Sequence, residues 1–250
     1  MLWYEKIPEF LFIVASRYYL LAGIAFIICY LLLRKRISKW KIQLRFPATK
    51  DYLREAAYST LTICIFATVA LICLSSPLKV YTLRYKEIGE YGLTWFILAF
   101  PVMFLVHDAY FYWMHRLMHH PKLFKSFHVV HHKSTNPSPW AAFAFQPMEA
   151  LVEIAILPIL LVIMPLSLPH LTAFFLVQMV YNVYGHLGWE LYPKWFSRHW
   201  FGKWINTSTN HNQHHQYFKG NYGLYFLWWD RWFGTIREDY ENKFEEIRSR

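Results

Sequence analysis

The chain is short of charge. Only 17% of its 250 residues are Asp, Glu, Lys or Arg, where a soluble domain carries nearer a quarter. Cysteine is scarce too: Cys29, Cys64 and Cys73 are the whole set, and each lies in or beside an apolar run. That excludes a disulfide framework and a cysteine-based zinc or iron–sulfur site. No glycine-rich nucleotide fingerprint and no HExxH metalloprotease motif is present. Acidic residues are the minority among the charges, 16 against 26 basic, for a net charge of +10. The basic residues cluster beside apolar runs, which suits anionic lipid headgroups and argues against a nucleic-acid partner. What fills the chain instead is apolar: 56% hydrophobic and 20% aromatic. This composition predicts a membrane protein.

Taken in order, the runs predict about three full spans. The first continues to Leu33, broken only by Arg17, and is too long for a signal-peptide core. Arg34, Lys35, Arg36, Lys39, Lys41, Arg45, Lys50 and Arg54 follow, which places this link in the cytoplasm by the positive-inside rule. Residues 56–78 carry no charge and form the second span. The third starts near Tyr91, includes Pro101, and is expected to run unbroken through Tyr112-Trp113 into His115. Residues 154–188 are uncharged, too many for one span and too few for two. They predict a proline-containing hairpin that dips into the bilayer and turns near Pro165–His170. From Glu190 onward no spanning run remains, and the tryptophans Trp195, Trp200, Trp204, Trp228, Trp229 and Trp232 predict a helical cap at the interface. The charged tail 238–250 reads as a short surface helix or frayed end. The fold class expected is therefore all-α and polytopic, one integral-membrane domain over 1–250, with the cap and C-terminus on the cytoplasmic side.

Against this background the thirteen histidines are conspicuous. His115 and His119 are four apart, as are His128 and His132, and His211 and His215. On a helix that spacing puts both imidazoles on one face. His131 and His214 complete two HxxHH groups, each able to offer three imidazoles to one side. Imidazole is a good ligand for iron, zinc and copper. Eight histidines exceed what one tetrahedral zinc needs and suit two ions. His120 adjoins His119 and is an alternative ligand. His107-Asp108 lies two turns before His115, and Asp108 is placed to orient a ligand imidazole. His170 and His199 fit no group and read as structural. A zinc hydrolase and a metal transporter or sensor are the competing classes. The first lacks a general-base glutamate beside the pairs, and the second would need ligands inside the spans.

Three motifs taken together resemble the fatty acid hydroxylase/sterol desaturase superfamily of membrane-bound oxidoreductases. They are Tyr112-Trp113-Met114-His115-Arg116-Leu117-Met118-His119, His128-Val129-Val130-His131-His132 and His211-Asn212-Gln213-His214-His215. The stretches Asn221-Tyr222-Gly223 and Trp229-Asp230-Arg231-Trp232-Phe233-Gly234-Thr235 are similar to the family's C-terminal signature. Pro137 to Glu149 is similar to the sterol C5-desaturase branch. The resemblance covers roughly residues 100–237. It implies His115, His119, His128, His131, His132, His211, His214 and His215 as ligands of two irons, and His186 as a further ligand. It implies O2-dependent hydroxylation or desaturation of a membrane lipid, a sterol, isoprenoid or fatty acyl chain. It also implies an external electron donor of ferredoxin or cytochrome type with a reductase. Gln146 and Asn210 stand where many relatives carry histidine, which puts any supporting role at those two positions in doubt.

Overall fold

Long uncharged runs become long helices. The computed structural model describes residues 2–250. Among them the regular structure is entirely helical, with three isolated β-bridges and no strand. Helix α1 (Ile7–Phe26) continues through a π-helical turn at Ile27–Leu32. Helix α2 spans Thr49–Ser75, and its N-terminus is closed by the Asp51 carboxylate accepting from Ala48 N at 3.1 Å. Helix α3 spans Gly92–Met118 without interruption, Pro101 included. At 1.5 Å per residue its 27 residues reach about 40 Å. The segments Trp3–Leu32, Thr49–Ser75 and Gly92–Met118 are each long and apolar enough to cross a membrane. Their outward faces expose Phe12, Leu32, Leu93 and Ile97, an apolar exterior that lipid solvates and water does not.

The first leg of the hairpin is α6 (Pro147–Ile154) and α7 (Ile156–Ile163); the second is α8 (Leu168–Gly185). The first leg therefore begins at Pro147, seven residues before the uncharged run. Glu149 and Glu153 interrupt the apolar pattern there, yet Glu149 is fully buried. The turn at 164–167 does not hang free. Leu83 N donates to Leu161 O at 2.7 Å, Tyr85 N to Leu166 O at 3.1 Å and Trp95 Nε1 to Pro165 O at 3.0 Å. The tip thus sits at the α2–α3 link, at the opposite end of the bundle from His115. His170 is fixed there: its Nε2 donates to Phe96 O at 2.9 Å and its Nδ1 accepts from Ser167 N at 3.1 Å. Ala99, Met103, Leu157, Leu160, Leu161 and Phe174 form the shared core of this end.

Both legs return to the other end, where α4 (Pro121–Phe127), α5 (Val129–His132), α9 (Ser208–Tyr217) and α10 (Trp228–Trp232) gather. Helix α9 is capped by Thr207 Oγ1, which accepts from Asn210 N, and stopped by Phe218 at φ 64°. Every residue from Ser208 to His215 is buried. The tail is not frayed. Helix α11 (Tyr240–Ser249) buries Tyr240, Phe244 and Ile247 completely. Each such side chain contributes roughly 1.5–3 kcal/mol. Their spacing of four and three makes one apolar stripe among charges, which the composition of the tail conceals. Arg250 Nη1 adds a bond to Lys41 O at 3.0 Å.

Candidate metal centre

The continuity of α3 carries His115 and His119 to the hairpin's open end. There they meet His128, His132 and His214: five imidazoles whose ligand atoms all lie within 4.8 Å of one another. His131, His186, His211 and His215 form a second set on the same criterion. The two HxxHH groups are divided between the sets. The i and i+4 members stay together, His128 with His132 and His211 with His215, while His131 and His214 cross to the other set. The reading that each group serves one side is thereby corrected. The reason is angular: i+3 falls about 60° short of a full turn, so its ring leans away from the face shared by i and i+4.

In the first set, Nε2 of His115 lies 3.0 Å from that of His128. His119 lies 3.1 Å from His214, and His132 lies 3.1 Å from His119 and 3.0 Å from His214. In the second set, His186 Nε2 lies 3.2 Å from His131 and 3.1 Å from both His211 and His215. A metal about 2.1 Å from each nitrogen places neighbouring ligands about 3.0 Å apart at right angles, and about 3.4 Å at the tetrahedral angle. The observed edges match the right-angled arrangement. Five donors at such edges fit an ion of six-coordinate type with a position to spare, and do not fit structural zinc.

The rings are held from behind. Nδ1 of His115 donates to Tyr222 O at 2.9 Å, that of His186 to Asn182 O at 2.8 Å and that of His214 to Gly220 O at 2.7 Å. His128 Nδ1 donates to Glu149 Oε1 at 2.6 Å. A proton fixed on Nδ1 leaves the lone pair on Nε2, pointing inward. Burial, reinforced by neighbouring imidazoles, holds His128, His131, His132, His211, His214 and His215 far below the usual imidazole range. Burial puts His186 at about 4. All seven are neutral at neutral pH, the form that binds metal. Phe145 packs 5.1 Å from His131 and Phe218 4.7 Å from His132, centroid to centroid; Phe145 is buried, while Phe218 is partly exposed at the rim.

His120 belongs to neither set. Its Nδ1 caps α4 by accepting from Lys122 N at 3.3 Å. Asp108 touches no imidazole. It accepts from Tyr225 N at 2.9 Å, Phe226 N at 3.2 Å and Trp228 Nε1 at 2.8 Å, pinning the closing segment to α3. His107 Nδ1 lies 2.9 Å from Tyr225 OH in the same contact. Gln146 Oε1 accepts from Val130 N at 3.2 Å and so steadies α5. His199 is exposed beside Trp195.

Buried carboxylates that support the centre escaped the sequence reading. Besides Glu149, Glu190 accepts from Thr209 N at 3.0 Å and Thr209 Oγ1 at 2.8 Å, holding the start of α9. Asp230 accepts from Tyr222 N at 2.9 Å and Gly223 N at 2.8 Å, and so fixes the carbonyl that His115 uses. Burial raises both carboxyls above their ordinary values, against the pull of those donors. Gly223 is obligatory in this turn, because a Cβ would meet Phe226 O at 2.4 Å. Asp230 and Glu149 carried a signal, each by its place in a stretch similar to the family.

Fold and site together define a class: an all-helical membrane protein with a buried polyhistidine centre able to hold metal. The fatty acid hydroxylase family model matches residues 100–235, which contain both histidine sets whole. The chain belongs to the fatty acid hydroxylase/sterol desaturase superfamily, in its sterol branch. It is 32% identical over 185 residues to a Delta(7)-sterol 5(6)-desaturase, ERG3B, of Gibberella zeae, covering 74% of this chain and 55% of that one. It is 31% identical over 172 residues to lathosterol oxidase of Rattus norvegicus and 30% to that of Homo sapiens, each covering 68% of this chain and 55% of the relative. The chain spans about half the length of these relatives. No solved structure matches it. The family is in general iron-dependent and acts on membrane lipids.

Proposed function

We propose that this protein is an O2-dependent di-iron oxidoreductase that hydroxylates or desaturates a C–H bond of a membrane lipid. The observation that carries the reading is the division of nine imidazoles, eight of them buried and His119 half-buried, into adjacent sets of five and four. His115, His119, His128, His132 and His214 would hold one iron; His131, His186, His211 and His215 would hold the other. When bound, the pair would supply O2 activation strong enough for an unactivated C–H bond.

The chain's own groups do the rest. The Nδ1 acceptors fix each ring's tautomer and angle, and Glu149 makes His128 a more basic donor. The buried Phe145 ring would help keep water from the reacting carbon. Three buried carboxylates support the centre: Glu149 accepts from His128, Glu190 from Thr209, and Asp230 from the 222–223 turn. The histidine pairs lack the HExxH arrangement of a zinc hydrolase.

The centre, the cap and the C-terminus are assigned to the cytoplasmic side. The basic link supports this, for it lies against the histidine segments: Gln43 Nε2 donates to Asn212 Oδ1 at 2.9 Å and Arg54 Nη2 to Ser134 Oγ at 3.2 Å. Electrons come from an external donor of ferredoxin or cytochrome type with its reductase, docking on that basic face. The hairpin 147–185 lies in the bilayer beside the three spans, and residues 1–250 form one integral-membrane domain. The test is lipid profiling of membranes with and without the protein, under air and under nitrogen. An O2-dependent product that gains one oxygen or loses two hydrogens supports the reading. Identical profiles in all conditions refute it.

A further inference from the structure

A file of oxidisable rings leads from the first histidine set to the surface. The Tyr222 ring packs on three of its members, with centroids 5.1 Å from His119, 5.6 Å from His214 and 5.7 Å from His115. Tyr112 lies 6.4 Å from Tyr222. Trp229 stacks on Tyr112 at 5.9 Å and 22°, and Trp232 lies 5.7 Å beyond Trp229. Each step is within the range of direct ring contact. Tyr112 is fully buried, whereas Trp232 is 64% exposed. The exposed Trp113, 5.3 Å from Tyr112, gives a second exit.

The hydroxyl of Tyr112 is the telling group. Thr235 Oγ1 donates to Asp230 Oδ1 at 2.7 Å. Its proton is therefore spent, and Tyr112 OH donates to Thr235 Oγ1 at 3.0 Å. Arg116 Nη1 donates to the same phenol oxygen at 3.1 Å. A buried phenol thus has a hydrogen-bonded way out for its proton, ending on a carboxylate, and a cation to steady the oxygen left behind. Trp229 Nε1 is buried with no acceptor among the described residues, so this ring can pass an electron while keeping its proton. An aromatic belt that only anchors the cap needs the rings; it does not need this hydroxyl chain.

We propose that Tyr112 is a redox relay, which discharges the metal centre when an oxidant forms there with no lipid in place. The inference rests on the O2-activating reading of the centre. Tyr112 gives one electron across Tyr222 to the oxidised metal pair. Its phenolic proton moves to Thr235 as Thr235 passes its own to Asp230. The neutral phenoxyl is refilled by one electron through Trp229 from Trp232, and the proton returns along the same bonds. A thiol at the surface is the final reductant. Two such events oxidise two thiols to a disulfide and release their two protons to water.

Flash photolysis of the purified full chain tests the relay without lipid or turnover. Trp232→Cys, with the three native cysteines changed to serine, carries a ruthenium–bipyridine sensitiser. A flash with ruthenium(III) hexaammine as quencher leaves the label strongly oxidising. The expected product is a tyrosyl radical, read by its near-ultraviolet absorption and by a paramagnetic-resonance signal that narrows when the tyrosines are ring-deuterated. Tyr112→Phe should abolish it. Thr235→Val should slow its formation roughly tenfold, the scale of one lost hydrogen bond to a charged group, and Thr235→Ser should restore the rate. The Thr235 pair decides the matter should Tyr112→Phe fail to fold. No radical, a radical that survives Tyr112→Phe, or an unchanged rate in Thr235→Val overturns the proposal. Iron-loaded protein given O2 and a reductant without lipid should, in Tyr112→Phe, accumulate more oxidised histidine in peptides spanning 115–132 and 211–215, by mass spectrometry; equal damage in wild type overturns the protective role. Because the flash readout needs no O2, the relay can fail while lipid oxidation stands, and the reverse.

Discussion

Glu149 offers a sharp test of how the centre is held. Its Oε1 lies 2.6 Å from His128 Nδ1, and both side chains are buried. Glu149→Leu removes the acceptor and leaves a buried N–H without a partner, a cost of about 1–3 kcal/mol. The ring then loses its fixed tautomer. Loss of such a supporting carboxylate lowers metal affinity about 10- to 100-fold, or roughly 1.4–2.7 kcal/mol. Only the first set contains His128, so the loss should fall on one ion of two. Glu149→Gln keeps an oxygen acceptor and should weaken affinity less. The assay is iron retention during stepwise dialysis against a chelator, followed by metal analysis. The expected result is two release steps, with the weaker one advanced in Glu149→Leu, less so in Glu149→Gln, and the second step unmoved. Equal retention by wild type and Glu149→Leu would refute the reasoning; parallel loss of both ions would point to general unfolding instead.

Other outcomes follow from the same geometry. His119→Ala should lose one metal ion, whereas His120→Ala should keep both, as metal analysis of the two variants will read. Gly220 has φ 79°, and a Cβ there would meet Thr235 O at 2.6 Å. Gly220→Ala should therefore lower thermal stability by about 1–3 kcal/mol and loosen His214, whose Nδ1 donates to the Gly220 carbonyl. Lys41 is buried against Trp189 and Phe46, and burial puts its ammonium at about 8 in place of 10.5. Between those values the unfolded chain holds more protons than the folded one, so this group's contribution to stability rises with pH from about 8 to 10.5. Lys41→Met should then stabilise the protein at pH 7, by on the order of 2 kcal/mol, with the gain shrinking toward pH 10.5. Thermal melts across that range decide it.

Much of this was legible in the sequence, and the limits have physical causes. The three long helices follow from apolar length, because a run of about twenty apolar residues, roughly twice a barrel strand, satisfies its own backbone inside lipid as a helix. The i, i+4 pairs show in one dimension which rings share a face. The partition of His131 and His214 did not show, because it depends on how separate helices meet. The hairpin's true start was hidden because Glu149 and Glu153 read as surface charge when their burial partners are unknown. Asp108 was expected to orient a ligand imidazole and instead holds the closing segment. Its partners, the 225–228 backbone and Trp228, lie over a hundred residues away and no spacing rule reaches them. The tail was legible as a short helix, but its docking was not: three apolar residues among ten decide how α11 packs, while the composition is set by the charged ones.

The central claim is that two ions share nine histidines, with sequence neighbours serving different ions. His131 and His132 adjoin in the chain and fall in different sets. Metal analysis of the purified wild type, His131→Ala, His132→Ala and the double variant tests this directly. The account predicts about two irons per chain in the wild type, about one in each single variant and none in the double. A wild type holding one metal or zinc contradicts it, as does a double variant that loses no more than either single one.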